Sequence, residues 1–129
     1  MAVGRTIIRV SVGVAGLLGL LAAARLLLQP EAAALKLGLT PIGAVGLASL
    51  RADLAGFFAV TGGLSLAAAL HNDRRLVLAP LLLIGAALAG RCLNLAVQGF
   101  SAELIPPIVI EAVLVGLLAF ARRIFGVRG

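Results

Sequence analysis

Leu50-Arg51-Ala52-Asp53-Leu54-Ala55-Gly56-Phe57-Phe58-Ala59-Val60-Thr61-Gly62-Gly63-Leu64 sets two charges at the head of a run that stays apolar or small. Thr61 and Ser65 are the only hydroxyls between Leu54 and Leu70. A helix that is apolar all round belongs in a core or a bilayer. Two later apolar runs carry matching oddities: Arg91 in one and Glu111 in the other. Charges placed this way predict helices that meet inside a membrane.

Composition supports that reading. Of 129 residues, 62% are hydrophobic and 12% charged, and the mean hydropathy is +1.19. A soluble domain is about half apolar and about a quarter charged. Water is therefore a poor solvent for most of this surface, and the chain reads as one integral membrane domain over residues 1–129. The net charge of +6 would suggest nucleic acid in a soluble protein. Here the charges punctuate apolar runs, and no Trp or Tyr is present to stack bases, so nucleic acid is excluded as a partner. The cations read as topology determinants and anionic-lipid contacts. Lys36 is the only lysine amid abundant Ala, Gly, Leu and Arg, a composition of GC-rich bacteria. The expected location is a bacterial inner (cell) membrane, crossed several times.

Arg5 and Arg9 precede the first apolar run. A signal peptide has the same order, with Ala22-Ala23-Ala24 in the place of a cleavage site. The run continues past that site through Leu26, Leu27 and Leu28, so we read a retained span over about residues 7–28, roughly 33 Å long at 1.5 Å per residue. Ser11, Ala15, Gly19 and Ala23 recur every four residues and predict one close-packing face. Gln29-Pro30-Glu31 ends the span, and a short interfacial helix is expected before Leu39. Thr40-Pro41 predicts the next helix start, with Thr as cap and Pro in the first position. The spanning part is 49–70, where Ala55, Ala59, Gly63 and Ala67 form a second small-residue face. His71-Asn72-Asp73-Arg74-Arg75 is too short to join anything but antiparallel neighbours. The third span is 76–98, with Pro80 in its first turns, where a missing amide donor is tolerated. The fourth is 104–122, opened by Pro106-Pro107.

With the N-terminus inside, the inner tails and turn hold Arg5, Arg9, Arg74, Arg75, Arg122, Arg123 and Arg128, and the outer connections hold Lys36 alone. The positive-inside rule then gives an all-α, antiparallel four-helix membrane bundle with both termini cytoplasmic.

A charge at mid-bilayer costs at least about 2.5–3.5 kcal/mol on insertion scales. Arg25, Arg51, Asp53, Arg91 and Glu111 therefore need partners. By helical rise all five fall in the outer half of the bundle. Arg91, Asn94 and Gln98 lie three and four apart, on one stripe of the third span. Asp53 or Glu111 can offer the Arg91 guanidinium a carboxylate that matches its planar fork. Arg25 or Arg51 can snorkel to the outer headgroups. Three readings stay open. The charges pair only with one another and fix helix register; they line an outward-opening pocket for an anionic or polar ligand; or Asp53 and Glu111 carry protons, a role that neighbouring arginines oppose by favouring the ionised carboxylates.

The remaining candidates are weaker. Cys92, the only cysteine, forms no intrachain disulfide and no Cys-based zinc site, and reads as a small buried hydrophobe. His71, the only histidine, reads as a solvated turn residue, which leaves no credible haem ligand or metal site. Gly62-Gly63 follows no strand, so close helix packing explains it better than a nucleotide loop. Thr61 and Ser65 have no histidine partner, which argues against a nucleophilic triad. Phe57-Phe58 reads as packing or lipid-facing surface.

The run 50–64, then Ala89-Gly90-Arg91, then Glu111 resembles a bacterial four-helix inner-membrane family known only as a domain of unknown function. Arg51, Gly62, Gly63, Gly90, Arg91 and Glu111 carry the likeness, which covers about residues 46–124. It implies the four-helix fold and the same polar residues, and no activity.

The expected function is non-catalytic: a membrane-embedded binding or accessory protein with a site of Arg51, Asp53, Arg91, Asn94 and Glu111. Arg91 is the anion anchor and Glu111 its orienting partner. No cofactor or metal is expected. The expected partners are membrane lipids, a lipid or small anionic ligand, and a second copy or another membrane protein. The alternative is a small transporter or channel subunit using the same charges.

Overall fold

The computed structural model describes residues 2–126. Helix α1 (Ala2–Leu28) is followed by α2 (Pro30–Lys36) and α3 (Gly43–Ser49). A π-helical turn, Leu50–Leu54, joins α3 to α4 (Ala55–His71). Then come α5 (Leu78–Gln98) and α6 (Ile105–Ile124), each preceded by a 3-10 turn, Arg74–Val77 and Ala102–Leu104. Among the described residues, four stretches are long and apolar enough to cross a membrane: Ala2–Leu28, Gly43–His71, Arg74–Gln98 and Ala102–Ile124. Between 11% and 33% of the most apolar 18 residues of each is buried within the chain. The rest is apolar surface of the kind that hydrocarbon, not water, covers.

The expected helix ends at Leu28, Leu70 and Gln98 hold to within a residue. Pro106 and Pro107 open α6, where an absent amide donor costs nothing. The expected start at Thr40-Pro41 does not hold. Helix α3 begins at Gly43 with Ile42 in the cap position and no side-chain cap. Gly43 has φ +64°, a left-handed conformation that interrupts any helix running on from Pro41. The turn folds Pro41 back so that a β-carbon on Gly46 would lie 3.1 Å from its Cα.

Helix α1 meets α4 backbone to backbone. A β-carbon on Gly62 would sit 2.6 Å from the Gly16 carbonyl oxygen and 2.7 Å from the Leu20 nitrogen. One on Gly19 would sit 3.0 Å from the Gly62 Cα. Along the seam, α1 presents Val12, Gly16, Gly19, Ala23 and Leu26, a 4-3-4-3 spacing. That is a 3.5-residue repeat, not the expected four-residue one. Gly19 and Ala23 belong to the seam as expected; Ser11 and Ala15 are half-buried, as Gly19 is, and the fully buried positions beside them are Val12 and Gly16. On α4 the contact glycine is Gly62; a β-carbon on Gly63 would meet only the Leu20 Cδ2, at 3.8 Å.

Each end of this seam carries an arginine that donates to the other helix's last carbonyls. Arg9 Nε and Nη2 donate to the Ala69 and Leu70 oxygens at 2.8 and 3.1 Å. Arg51 Nε donates to the Leu27 oxygen at 3.2 Å. Those carbonyls have no partner within their own helix, and the helix dipole favours a cation beside them.

Two apolar centres follow. At the cation-rich end Val12, Ala68, Val77, Ile84, Leu118 and Phe125 form a core shared by α1, α4, α5 and α6. At the far end Leu26, Ala33 and Ala55, with Leu54 and Phe58, join α1, α2 and α4 only. Phe57 packs against the first core and Phe58 against the second, their rings edge to face with centroids 5.4 Å apart. Asn72, at φ 51° and ψ 46°, ends α4 in the left-handed conformation. Asp73 is buried and accepts from the Arg75 backbone and side chain at 2.9 and 3.1 Å. The Arg74 amide donates to the Gly126 carbonyl at 2.9 Å, which ties the end of α6 to this turn.

The two adjacent glycines should respond differently. Gly62→Ala drives a methyl into α1 backbone and should destabilise the chain by about 1–3 kcal/mol. Gly63→Ala should leave stability within about 0.5 kcal/mol. Unfolding in mixed detergent micelles, followed by far-UV circular dichroism, measures both; equal losses would put the crossing elsewhere.

Candidate functional site

Of the charges expected inside the spans, the structure joins one pair across two helices. Arg91 Nε on α5 donates to Glu111 Oε1 on α6 as an ion pair. The Glu111 side chain is 14% exposed and that of Arg91 43%, so the carboxylate sits inward and the guanidinium outward. Glu111 Oε2 is buried with no hydrogen-bond partner among the described residues. Arg91 Nη1 and Nη2 also hold no hydrogen bond there. The pair therefore orients the guanidinium through one edge and leaves the other as free donors.

Arg91 borders a cleft of about 230 Å³. Ala87, Gly90, Arg91 and Asn94 line it from α5, and Leu104 and Ile108 from the α6 side. The i, i+3 spacing puts Arg91 and Asn94 on one face, and Ala87 and Gly90 leave the space between helices unfilled. Drug-sized ligands occupy about 300–1,000 Å³, so this volume suits a headgroup or small anion. The cleft lies where packing is thin. Over residues 89–100 every residue but Leu95 is exposed.

Arg51 and Asp53 do not join this site. Arg51 is held by the Leu27 carbonyl. Asp53 is exposed and makes no hydrogen bond or ion pair among the described residues. Neither lines the cleft. The far end of α4 packs against α1 and α2 rather than α5. The π-helical turn widens the helix just at Arg51 and Asp53 and alters their direction relative to a regular α-helix. Gln98 shares a stripe with Arg91 yet stands outside the cleft lining. Cys92 is exposed, not buried. His71 is exposed at the end of α4, as expected.

Sequence reasoning treated Arg9 as a topology charge and missed its bonds to α4. The trace was present: Arg9 stands three residues before Val12 and so continues the seam spacing. Leu104 and Ile108 carry no chemical signature that marks them as cleft walls. Among the described residues no three His, Cys, Asp or Glu side chains are grouped to hold a metal ion.

Comparison with family models, curated proteins and solved structures finds no match to this chain.

Removing Arg91 alone leaves the Glu111 carboxylate without its partner. Arg91→Ala should cost about 1–3 kcal/mol, and adding Glu111→Gln should recover most of it. Detergent-unfolding curves of the single and double variants measure the coupling. A double variant as unstable as the single one would show that the ion pair does not hold α5 to α6.

Proposed function

We propose that this chain is a non-catalytic binding or accessory protein of a bacterial inner membrane, which holds a lipid headgroup or small anion in the α5–α6 cleft. The observation that carries the reading is the setting of Arg91: Glu111 takes its Nε, no other hydrogen bond is made by its guanidinium among the described residues, and Arg91 and Asn94 both line the cleft. Oriented guanidinium donors beside a neutral amide suit an oxyanion. An ionisable pair within apolar helices favours a functional role. Catalysis has less support. His71 is exposed at a helix end, and the buried Thr61 hydroxyl donates to the Phe57 carbonyl at 2.9 Å rather than to a base. The likeness to a four-helix inner-membrane family stays a reading of residue pattern and transfers no activity.

The proposed topology is antiparallel, with both termini cytoplasmic. Three observations support it. Arg9 near the start of α1 reaches the end of α4, and Arg51 reaches the end of α1. The start of the third span is tied to the end of α6 through Arg74 and Gly126. Arg9, Arg74, Arg75, Arg122 and Arg123 then share one end, as the positive-inside rule requires. The exposed Leu35, Leu37, Leu39, Ile42 and Val45 suit a 29–45 connection that lies along the opposite interface.

Native mass spectrometry from mild detergent tests the site. The wild type should retain a lipid or small anionic adduct that the stability-matched Arg91→Ala/Glu111→Gln variant loses. An adduct retained equally by both would remove the cleft from consideration. Membrane-impermeant thiol labelling, on a Cys92→Ser background with new cysteines at Gly4 and Ser101, should mark opposite faces of the membrane. Labelling from the same side would overturn the topology.

A further inference from the structure

A second cleft, separate from the α5–α6 site, runs along the lateral edge of the α1–α4 seam. Its volume is about 400 Å³, and it is lined by Arg9, Val10, Gly13 and Leu17 of α1 and by Leu66 and Ala69 of α4, among others. Gly13 opens it: a β-carbon there would lie 3.5 Å from the Ala69 Cβ and 3.9 Å from the Leu66 Cδ1. The α1 side extends from Thr6 to Leu17, about 16 Å at 1.5 Å per residue. That matches one leaflet, half of a hydrocarbon core of about 30 Å.

The groove is polar at one end only. Arg9 and Thr6 stand there, and apolar side chains form the remainder. The Thr6 hydroxyl is turned to the Ala2 carbonyl at 2.9 Å. Arg9 is half-buried and spends Nε and Nη2 on the Ala69 and Leu70 carbonyls. Carbonyls satisfy its donors without cancelling its charge. No carboxylate lines the groove, and among the described residues neither Arg9 nor Arg5 has an ion-pair partner. Arg5 lies outside the groove lining but is four residues from Arg9, one turn toward the N-terminus on the same helix face, so two uncompensated cations stand near each other beyond the polar end of the groove. A phosphate between them offsets their charge, and an acyl chain fills the apolar length below.

We propose that the α1–α4 groove is a binding site for one anionic phospholipid, with its phosphate at Arg5 and Arg9 and one acyl chain along Val10, Gly13 and Leu17. The site holds whichever face of the membrane the cation-rich end occupies, and it is independent of the α5–α6 cleft.

The test uses the full chain in mild detergent, titrated with dioleoylphosphatidylglycerol or dioleoylphosphatidylcholine and read by native mass spectrometry. One phosphatidylglycerol per chain should be retained about fivefold more strongly than phosphatidylcholine, the factor one basic residue is worth at an anionic surface. Val10→Trp obstructs the groove from an exposed position without touching the helix crossing. It should cause a loss of retained phosphatidylglycerol with circular dichroism unchanged. Arg5→Gln/Arg9→Gln should erase the preference for phosphatidylglycerol. Because Arg9 also holds α4, Val10→Trp decides the matter if that pair of changes unfolds the chain. Equal retention of the two lipids, or undiminished retention in Val10→Trp, overturns the proposal. So does a phosphatidylglycerol adduct lost only in Arg91→Ala/Glu111→Gln, which would assign the lipid to the other cleft.

Discussion

The contact of Gly16 and Gly19 with Gly62 is the constraint on which the remaining structure depends. Between helices surrounded by hydrocarbon, apolar burial supplies little net drive, and association rests on close packing and interhelical hydrogen bonds. Only residues without side chains let two backbones come this near. Once α1 and α4 touch, the reach of Arg9 and Arg51 is set, and each arginine meets the carbonyl end of the other helix. Two needs are met together. An arginine near hydrocarbon requires acceptors, and a helix C-terminus has carbonyls with no internal donor. The crossing fixes the middle of the seam, and the arginines fix its ends.

The other pair of helices follows a different logic at its two ends. Near Val77 and Phe125 all four spans share a core, and the turn at Asn72 and Asp73 holds the end of α6 through Gly126. Farther along, α5 and α6 leave that core, and their side chains become exposed. The Arg91–Glu111 ion pair stands in that thinly packed part. An ion pair offset by desolvation is a weak source of stability, but it is a demanding one of register, since either charge alone would be left unpaired in an apolar setting. A cleft survives beside it because Ala87 and Gly90 give the facing helix nothing to pack against.

Much of the fold was legible in the sequence, because spans, turns and proline positions depend on local composition. Leu28, Gln98 and Pro106 mark helix limits through chemistry that acts within a few residues. What needed coordinates was rotation about the helix axis. Gly62 and Gly63 are equivalent to a composition argument, yet only one faces α1, since neighbouring residues on a helix point about 100° apart. The small-residue stripe on α1 coincides with the seam at Gly19 and Ala23, while the buried positions nearer the N-terminus are Val12 and Gly16, because periods of 3.5 and 4 agree over one turn and diverge over three. The site divided similarly. Counting residues put Arg91 at the depth of both Asp53 and Glu111, and left open which carboxylate it meets. The separation of Arg51 and Asp53 from the site was not legible, because the π-helical turn that redirects them has no sequence signature as clear as a proline.

Three arginines in this chain show two ways of keeping a guanidinium in apolar surroundings, and the difference bears on what each can bind. Arg9 and Arg51 donate to carbonyl oxygens, which accept hydrogen bonds and leave the full positive charge in place. Arg91 donates to a carboxylate, which cancels the charge and leaves Nη1 and Nη2 without a hydrogen bond among the described residues. An anion near Arg9 gains a Coulomb attraction that low dielectric strengthens. A ligand near Arg91 gains directed hydrogen bonds against an ion pair that is neutral as a whole. On the readings proposed above, the α1–α4 groove therefore discriminates by ligand charge. The α5–α6 cleft discriminates by shape and acceptor geometry, and it favours a ligand whose oxygens fit between Arg91 and Asn94 over one that is merely more anionic.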